Sequence, residues 1–378
     1  MRRQAELDWL RGLMLVLMTL THLPTWFSAQ MGQPFGYVSA AEGFVFVSAF
    51  LVGAVYTRIA LDKGYPAMRR QMWRRAVKIY AAHVAVLVFL LWVVLPFAIA
   101  RGAHPVTDLA SFYIAHPRQA SAAALLLLYQ PPLLDILPMY VLFMLATPLV
   151  LATSARRGWR PLFAVSIALW ALAQFDFGHV LYDMLVSGSA LPLPPYRQTG
   201  AFAVLGWQLL WLCGLCAGTR SLAGPPRLPR GWVVAAATLA VGFFSWRHWS
   251  GQVPAAPLLI VEALDKWHLG ALRLMNFAGL AVLAVAARQT LADWARHSAL
   301  TTLGRASLPV FCTHVCICLV ALAMVADPSP LQLHWRDSAL LSAVLVVLYL
   351  VAVVAAEGKR LAPRIAASVS SRLAARKG

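Results

Sequence analysis

The sequence has few charged residues: they make up 12% of its 378 positions, whereas 61% are hydrophobic. Soluble domains carry about 25% charged residues and about 45–50% apolar ones. This chain therefore has too few polar side chains to cover a water-facing surface, which excludes a soluble globule. Apolar runs recur along the whole chain. They predict one polytopic membrane domain over residues 1–358 and a short basic cytoplasmic tail over 359–378.

Acidic residues are also scarce, since 14 Asp and Glu stand against 32 Lys and Arg. In a soluble protein such an excess would indicate nucleic-acid binding, but the cytoplasmic loops of membrane proteins collect Lys and Arg for topological reasons. We therefore expect no nucleic-acid partner. The N-terminal run contains Asp8 and Arg11 and no small-residue cleavage site, so it is not typical of a cleavable signal.

Cysteine is sparse, and the five cysteines all lie within apolar runs. This placement argues against a disulfide framework. It also argues against a structural metal site, which needs converging ligands. We predict neither a metal nor a permanently bound cofactor. The five residues are Cys213, Cys216, Cys312, Cys316 and Cys318.

Ten mostly apolar segments come close to the length of about 20 residues that a spanning helix needs. They lie at residues 7–27, 38–58, 78–100, 133–153, 161–176, 200–218, 231–247, 269–287, 307–326 and 338–356. An even number of spans puts both termini on one side, and the loops on that side hold most of the Lys and Arg residues. The positive-inside rule then predicts an all-α protein with about ten transmembrane helices and both termini in the cytoplasm.

Three ionisable residues share one face of the first segment. At about 100° per residue, Asp8, Arg11 and His22 project in similar directions, with Arg11 and His22 about 16 Å apart along the axis. Ionisable groups within a span usually face the bundle interior or a water-filled cavity. The alternatives are an interfacial salt bridge for Asp8 and Arg11, and a structural polar role for His22. The common face favours a functional role.

The second segment carries Glu42 in an apolar run, at about the depth of His22. A short loop, residues 28–37, makes the two segments neighbours. A carboxylate beside an imidazole would hold its tautomer and raise its basicity, as a general base requires. We therefore expect His22 to remove a proton from an acceptor hydroxyl, with Glu42 orienting or stabilising it.

The first inner loop contains four arginines, Arg69, Arg70, Arg74 and Arg75. On a helix they would form a basic stripe, and guanidinium groups bind phosphate oxygens in bidentate fashion. A phosphorylated donor such as a coenzyme A thioester would fit. Topology and attraction to anionic membrane lipids explain the same stripe, so both interpretations stay open here.

Several motifs resemble those of a known family. The Arg11-x10-His22 spacing after Asp8, residues 42–51 and residues 74–80 are similar to motifs of the acyltransferase-3 superfamily. Residues 135–140, 206–210 and 304–311, with Asp265, Lys266, Leu269 and Arg273, resemble the OpgC family, whose characterised type succinylates osmoregulated periplasmic glucans. The similarity runs from about residue 5 to residue 355.

This resemblance implies a multi-pass protein of the bacterial inner membrane. It would transfer an acyl group, succinyl by analogy, from cytoplasmic acyl-CoA to a hydroxyl of a periplasmic glucan or another glycan. Arg11 and Asp8 would stabilise the inner half of the site. Five further polar residues are candidates for lining the cavity and binding substrate, although a structural role for the last is equally open: Asp135, Tyr140, Asp265, Lys266 and His314.

The alternative function is a transporter or flippase for a glycan or lipid intermediate, because buried ionisable residues also suit an ion-coupled path. Transporters are often built from repeated halves with broken helices. The sequence shows no internal repeat, which favours the enzyme.

Overall fold

The computed structural model describes residues 4–189, 192–325 and 332–375, with side chains described as far as residue 358. Within these ranges the chain is all-α, with no strand. The expected basic tail, residues 359–378, continues the last helix in its backbone as far as Ala375. The side chains of that tail and its final residues lie outside the described part.

Each of the ten apolar segments overlaps a helix, and we number these helices α1 to α10. They are α1 (Ala5–His22), α2 (Ala40–Lys63), α3 (Tyr65–Arg101), α4 (Ile136–Arg157), α5 (Arg160–Ala173), α6 (Val204–Arg220), α7 (Arg230–Ser250), α8 (Ala271–Ala286), α9 (Ser307–Met324) and α10 (Trp335–Ala375). Shorter helices connect them: Phe27–Met31, His104–Leu109, Ser111–Ala115, Pro117–Leu125, Phe177–Val186, Leu258–Ala263, Arg288–Ala295 and Ala299–Arg305.

Five of these helices are long and apolar enough to cross a membrane: α2, α3, α4, α9 and the Trp335–Gly358 part of α10. Two bent pairs raise the number to seven if each pair forms one span. In one pair α5 meets Phe177–Val186 at 75°, and in the other α8 meets Arg288–Ala295 at 70°. The described part of the chain is thus an all-α membrane protein with five to seven helices of spanning length and composition.

Glycines bring α2 and α6 into close contact. A Cβ added at Gly218 would lie 2.0 Å from the carbonyl oxygen of Phe50, and one at Gly53 would lie 2.3 Å from that of Leu215. Small residues let the backbones of membrane helices approach each other in this way. The two helices therefore pack along their length as the centre of the bundle.

The first helix is held in the same manner against the short helix Ala299–Arg305. A Cβ at Gly12 would lie 1.9 Å from the carbonyl oxygen of Leu300, and one at Gly304 would lie 1.7 Å from that of Asp8. No larger residue fits at either position without a backbone shift. This contact fixes the height of α1 relative to α9, which starts two residues after Ala299–Arg305 ends.

The start of α2 is set by local hydrogen bonding. Ser39 caps the helix by accepting from the backbone N–H of Ala41, and Glu42 reaches back to the backbone N–H of Ser39 at 3.0 Å. This reciprocal arrangement is the capping box. At the other end of α2, Gly64 has a φ of +81°, which lets the chain reverse directly into α3.

The bundle has two chemically different ends. The starts of α1, α3 and α9 and the end of α2 meet at one end, which we call the basic end because Arg75, Lys78 and Arg305 lie there. The end of α1 and the starts of α2 and α8 meet at the opposite end. Helix α10 lies at the periphery, since only 17% of its apolar window is buried in the protein.

Candidate active site

A pair of histidines joins α1 to α9. The Nδ1 atom of His22 lies 3.1 Å from the Nε2 atom of His314, within hydrogen-bonding distance. The two ring planes are 20° apart, and the ring centroids are 5.3 Å apart. His314 is fully buried, and its Nδ1 atom lies 3.0 Å from the carbonyl oxygen of Phe311. The hydrogen-bonding partner of the predicted base is thus another histidine.

The carboxylate of Glu42 is bound elsewhere. Its Oε1 accepts a hydrogen bond from Nη1 of Arg273 at 2.6 Å, and its Oε2 accepts from the hydroxyl of Ser39 at 2.5 Å. Within the described residues no hydrogen bond joins Glu42 to His22, so the expected direct orientation of the imidazole by this carboxylate does not occur. Both oxygens of Glu42 instead accept hydrogen bonds from Arg273 and Ser39.

Arg273 is a site residue whose role the sequence did not reveal. It lies in α8, is 1% exposed and also donates from Nε to the carbonyl oxygen of Leu264 at 3.1 Å. An isolated arginine in an apolar helix is the signal that could have found it, because buried charges in a membrane bundle are paired. Its partner lies 231 residues away in sequence.

Lys266 lies at the opposite end of the bundle, in the loop before α8. Its ammonium group lies 4.6 Å from the ring centroid of Trp267 and 5.8 Å from that of Phe202. Burial lowers the pKa of Lys266, and the carboxylate of Glu42 acts to raise it. The ammonium group also interacts electrostatically with several predicted or newly found site residues: Glu42, Arg273, Asp135, Asp265 and His22.

Asp135 and Tyr140 have structural partners on neighbouring segments. Asp135 is buried at the start of α4, and its Oδ2 accepts from the backbone N–H of Ala201 at 3.2 Å. The hydroxyl of Tyr140 donates to the carbonyl oxygen of Phe44 at 3.0 Å. Both residues therefore fix the elements around the site.

Asp265 takes part in a histidine network at the same end. Its Oδ2 accepts from the backbone N–H of His268 at 2.6 Å and lies 2.9 Å from the Nδ1 atom of that ring. The hydrogen bond that Asp265 accepts from the ring raises the pKa of His268, while burial acts in the opposite direction. Asp176 approaches the other ring nitrogen at 3.5 Å. This network holds the loop that carries Lys266.

Arg11 and Asp8 lie towards the basic end, as expected from the start of α1. Nη2 of Arg11 donates to the hydroxyl of Ser307, and the guanidinium carbon lies 5.9 Å from the ring centroid of Phe44. Asp8 is buried, and its Oδ2 lies 3.8 Å from Nε of Arg305. These contacts connect α1 to the start of α9.

Two cavities open around Arg11. The wider one has a volume of about 1180 Å³ and lies between α3, α9 and α10. The narrower one has a volume of about 410 Å³ and lies between α1, α2, α4 and α9. They meet at shared lining residues: Arg11, Arg75, Ile79, Ser307 and Leu308.

The narrower cavity leads from the basic end towards the histidine pair. Its lining follows α2 from Tyr56 back to Phe44, a length of about 18 Å at 1.5 Å per residue. Phe44 and Phe311 stand at its far end, with ring centroids 6.2 Å apart. The ring of Phe311 lies 5.3 Å from that of His314. Aromatic side chains thus separate the cavity from the imidazoles.

One arginine of the stripe lines the cavities. All four are exposed, but Arg75 lines both cavities and the other three, Arg69, Arg70 and Arg74, line neither. The guanidinium of Arg69 lies 5.2 Å from the ring centroid of Trp73. Neighbours on a helix point about 100° apart, so Arg74 points in a different direction from Arg75, and it lines neither cavity. The sequence missed three other lining residues at this end, which are Lys78, Arg305 and Ser307.

Comparison with known proteins identifies the family. The family model described as OpgC protein matches residues 3–360. The chain belongs to the OpgC family. This confirms the resemblance found in the sequence and implies acyltransferase activity of the glucan-modifying OpgC type. No curated protein and no solved structure matches the chain. The match covers every site residue of this OpgC-family protein from Asp8 to His314.

Breaking the buried ion pair should destabilise the protein strongly. In Glu42→Gln the guanidinium of Arg273 stays buried without its counter-charge, which costs about 3–5 kcal/mol. Combining Glu42→Gln with Arg273→Met removes the uncompensated charge and should restore much of the loss. Thermal unfolding in detergent measures both effects.

The exposed pair Arg58–Asp62, at 3.2 Å, provides the control for this experiment. Asp62→Asn should change the unfolding free energy by about 1 kcal/mol or less, because exposed pairs contribute little. An unchanged unfolding temperature for Glu42→Gln would contradict a structural role for the buried pair.

Proposed function

We propose that this OpgC-family protein is an O-acyltransferase of the bacterial inner membrane. It would transfer an acyl group, succinyl by family analogy, from cytoplasmic acyl-CoA to a hydroxyl of a periplasmic glucan. The observation that carries the proposal is the narrower cavity, which begins among cations and ends at Phe311, the aromatic neighbour of His314 in the His22–His314 pair. A transferase with a charged donor on one side needs such a path.

The basic end suits the donor. Arg75, Lys78 and Arg305 line the wider cavity together with Arg11. Guanidinium groups bind phosphate oxygens in bidentate fashion, and ammonium groups bind them as point charges. Beyond these cations the walls are mostly apolar, which suits the uncharged arm of a thioester. The donor phosphates would therefore stay at the basic end while the acyl group advances towards His22.

The chemical step moves the acyl group from the sulfur of the donor thioester to an oxygen of the acceptor. The acceptor oxygen attacks the thioester carbonyl carbon while its proton passes to the imidazole of His22. The new C–O bond forms, the C–S bond breaks and the sulfur departs as a thiolate. The proton held by His22 then passes to that thiolate. General-base catalysis of this kind contributes about 10²–10⁴-fold.

The acceptor would enter from the opposite end of the bundle. The loop that carries Asp265, Lys266 and Trp267 offers a carboxylate, a cation and an aromatic ring close together. Flat rings stack on sugar faces, and carboxylates accept hydrogen bonds from sugar hydroxyls. Glu42 would act indirectly in this proposal, by holding Arg273 and by attracting Lys266.

Ten membrane crossings with both termini in the cytoplasm are part of the proposal. The support is that the basic end contains the starts of α1, α3 and α9, and that cytoplasmic surfaces of membrane proteins are rich in Lys and Arg. In a cysteine-free background, Pro66→Cys should be protected from an impermeant thiol reagent in intact cells. Ala255→Cys, the matched exposed position in the loop after α7, should react. The reverse pattern would exclude this topology.

Replacing the proposed base should nearly abolish acylation. His22→Gln keeps polarity and much of the shape but cannot accept the proton, so we expect a loss of about 10²–10⁴-fold. The measurement is acyl transfer to glucan in membranes, at matched protein level and after checking insertion. A wild-type rate in His22→Gln would contradict the proposal and favour the transporter alternative.

Adjacent arginines allow a matched test of donor binding. Arg75→Gln removes a guanidinium that lines both cavities, so it should raise KM for acyl-CoA, by about tenfold for a loss of about 1.4 kcal/mol. Arg74→Gln removes the same charge at a position that lines neither cavity, and it should leave KM unchanged. Equal effects of the two variants would assign the stripe to topology or lipid attraction.

A further inference from the structure

The hydrogen bonds around His314 determine which of its nitrogens carries the proton. Its Nδ1 atom lies 3.0 Å from the carbonyl oxygen of Phe311, and a carbonyl oxygen can only accept. Nδ1 of His314 is therefore protonated. In the neutral ring the remaining nitrogen, Nε2, has a lone pair and is an acceptor.

The same logic extends to His22. Its Nδ1 atom faces the acceptor nitrogen of His314 at 3.1 Å, so Nδ1 of His22 must donate. In the neutral ring its Nε2 atom then has the free lone pair. The chain of donors and acceptors runs from His22 through His314 to the backbone of Phe311, and it leaves one basic nitrogen at its outer end.

We infer that His314 is the positioning residue of the general base, and that it acts by fixing His22 as the Nδ1–H tautomer. This inference rests on the proposed function, in which His22 accepts the proton. In catalytic triads a carboxylate holds the imidazole tautomer. Here a buried neutral imidazole takes that position, while Glu42, the carboxylate expected there, is bound to Arg273 and Ser39.

The surroundings of His314 suit this task. The ring is fully buried, and its Nδ1–H is held by the backbone of its own helix. The ring of Phe311 packs against it, with the two ring centroids 5.3 Å apart. Its Nε2 atom therefore points in a fixed direction. An imidazole without such a partner exchanges between two tautomers, and the Nε2–H form has no lone pair for the substrate.

The arrangement also stabilises the charged intermediate. When Nε2 of His22 takes the proton of the acceptor hydroxyl, both of its nitrogens carry hydrogen and the ring is cationic. The Nδ1–H bond to His314 strengthens, because hydrogen bonds with an ionised partner are stronger than neutral ones. The Nδ1–H proton of His22 stays in place, and the proton gained at Nε2 passes on to the departing thiolate.

Three variants test the inference. His314→Gln can place an amide oxygen near the former Nε2 position and so keep an acceptor for His22. His314→Leu fills similar space without an acceptor. His83→Leu is the matched control, since His83 is another fully buried histidine, and its two ring nitrogens have no hydrogen-bond partner among the described residues.

The measurements are acyl transfer in membranes and ¹⁵N NMR of histidine-labelled protein, with His22 assigned by comparison with His22→Gln. We expect the wild type and His314→Gln to show His22 as the Nδ1–H tautomer. His314→Leu should lose this signature. It should also lower kcat by about tenfold or more, because part of the His22 population would then be in the Nε2–H tautomer. KM for acyl-CoA should not change, and His83→Leu should behave as wild type.

Two outcomes would overturn the inference. One is full activity of His314→Leu while His22→Gln is inactive, which leaves the proposed function intact but removes the positioning role. The other is an unchanged His22 tautomer in His314→Leu. Failure of the proposed function is distinguishable, because it appears as activity in His22→Gln itself.

Discussion

The ion pair between Glu42 and Arg273 joins the start of α2 to the start of α8 inside an apolar bundle, with the two side chains 0% and 1% exposed. A charge in such surroundings is tolerated only when it is paired and its other hydrogen-bonding groups are satisfied. Here Ser39 and the carbonyl oxygen of Leu264 complete the set. The loop that carries Lys266 comes just before Arg273 in the chain, so the position of this loop depends on the ion pair.

Helix α1 is held by three contacts, two of them near the basic end and one at its last residue. The contact of Gly12 with Leu300 fixes it near the basic end, the hydrogen bond from Arg11 to Ser307 ties it to the start of α9, and the His22–His314 hydrogen bond ties its last residue to the middle of α9. A group that must transfer a proton needs this rigidity, because small displacements of reacting groups cost large factors in rate. The same helix carries the proposed base, His22, and a cation near the basic end, Arg11, so the helix sets the distance between them.

Much of the architecture could be predicted from the sequence, and the site could be predicted only in part. Runs of apolar residues placed the helices α1 to α10, because burial in lipid or protein leaves a direct composition signal. The angle between Asp8, Arg11 and His22 gave their common face. Periodicity describes one helix, however, and does not say what opposes that face. The partner of His22 lies 292 residues away, so sequence proximity favoured Glu42, and only the packing of α9 against α1 brings His314 to it.

The choice of a histidine beside His22 has a physical reason. A carboxylate in the place of His314 would be a further buried charge, and the buried carboxylate of Glu42 already requires an arginine, a serine and a backbone amide. A neutral imidazole avoids the desolvation cost of a charge and still accepts a hydrogen bond. In the proposed mechanism this imidazole becomes electrostatically important only when His22 is protonated, during the chemical step. The pair would then stabilise the transition state more than the resting state, which is the condition for catalysis.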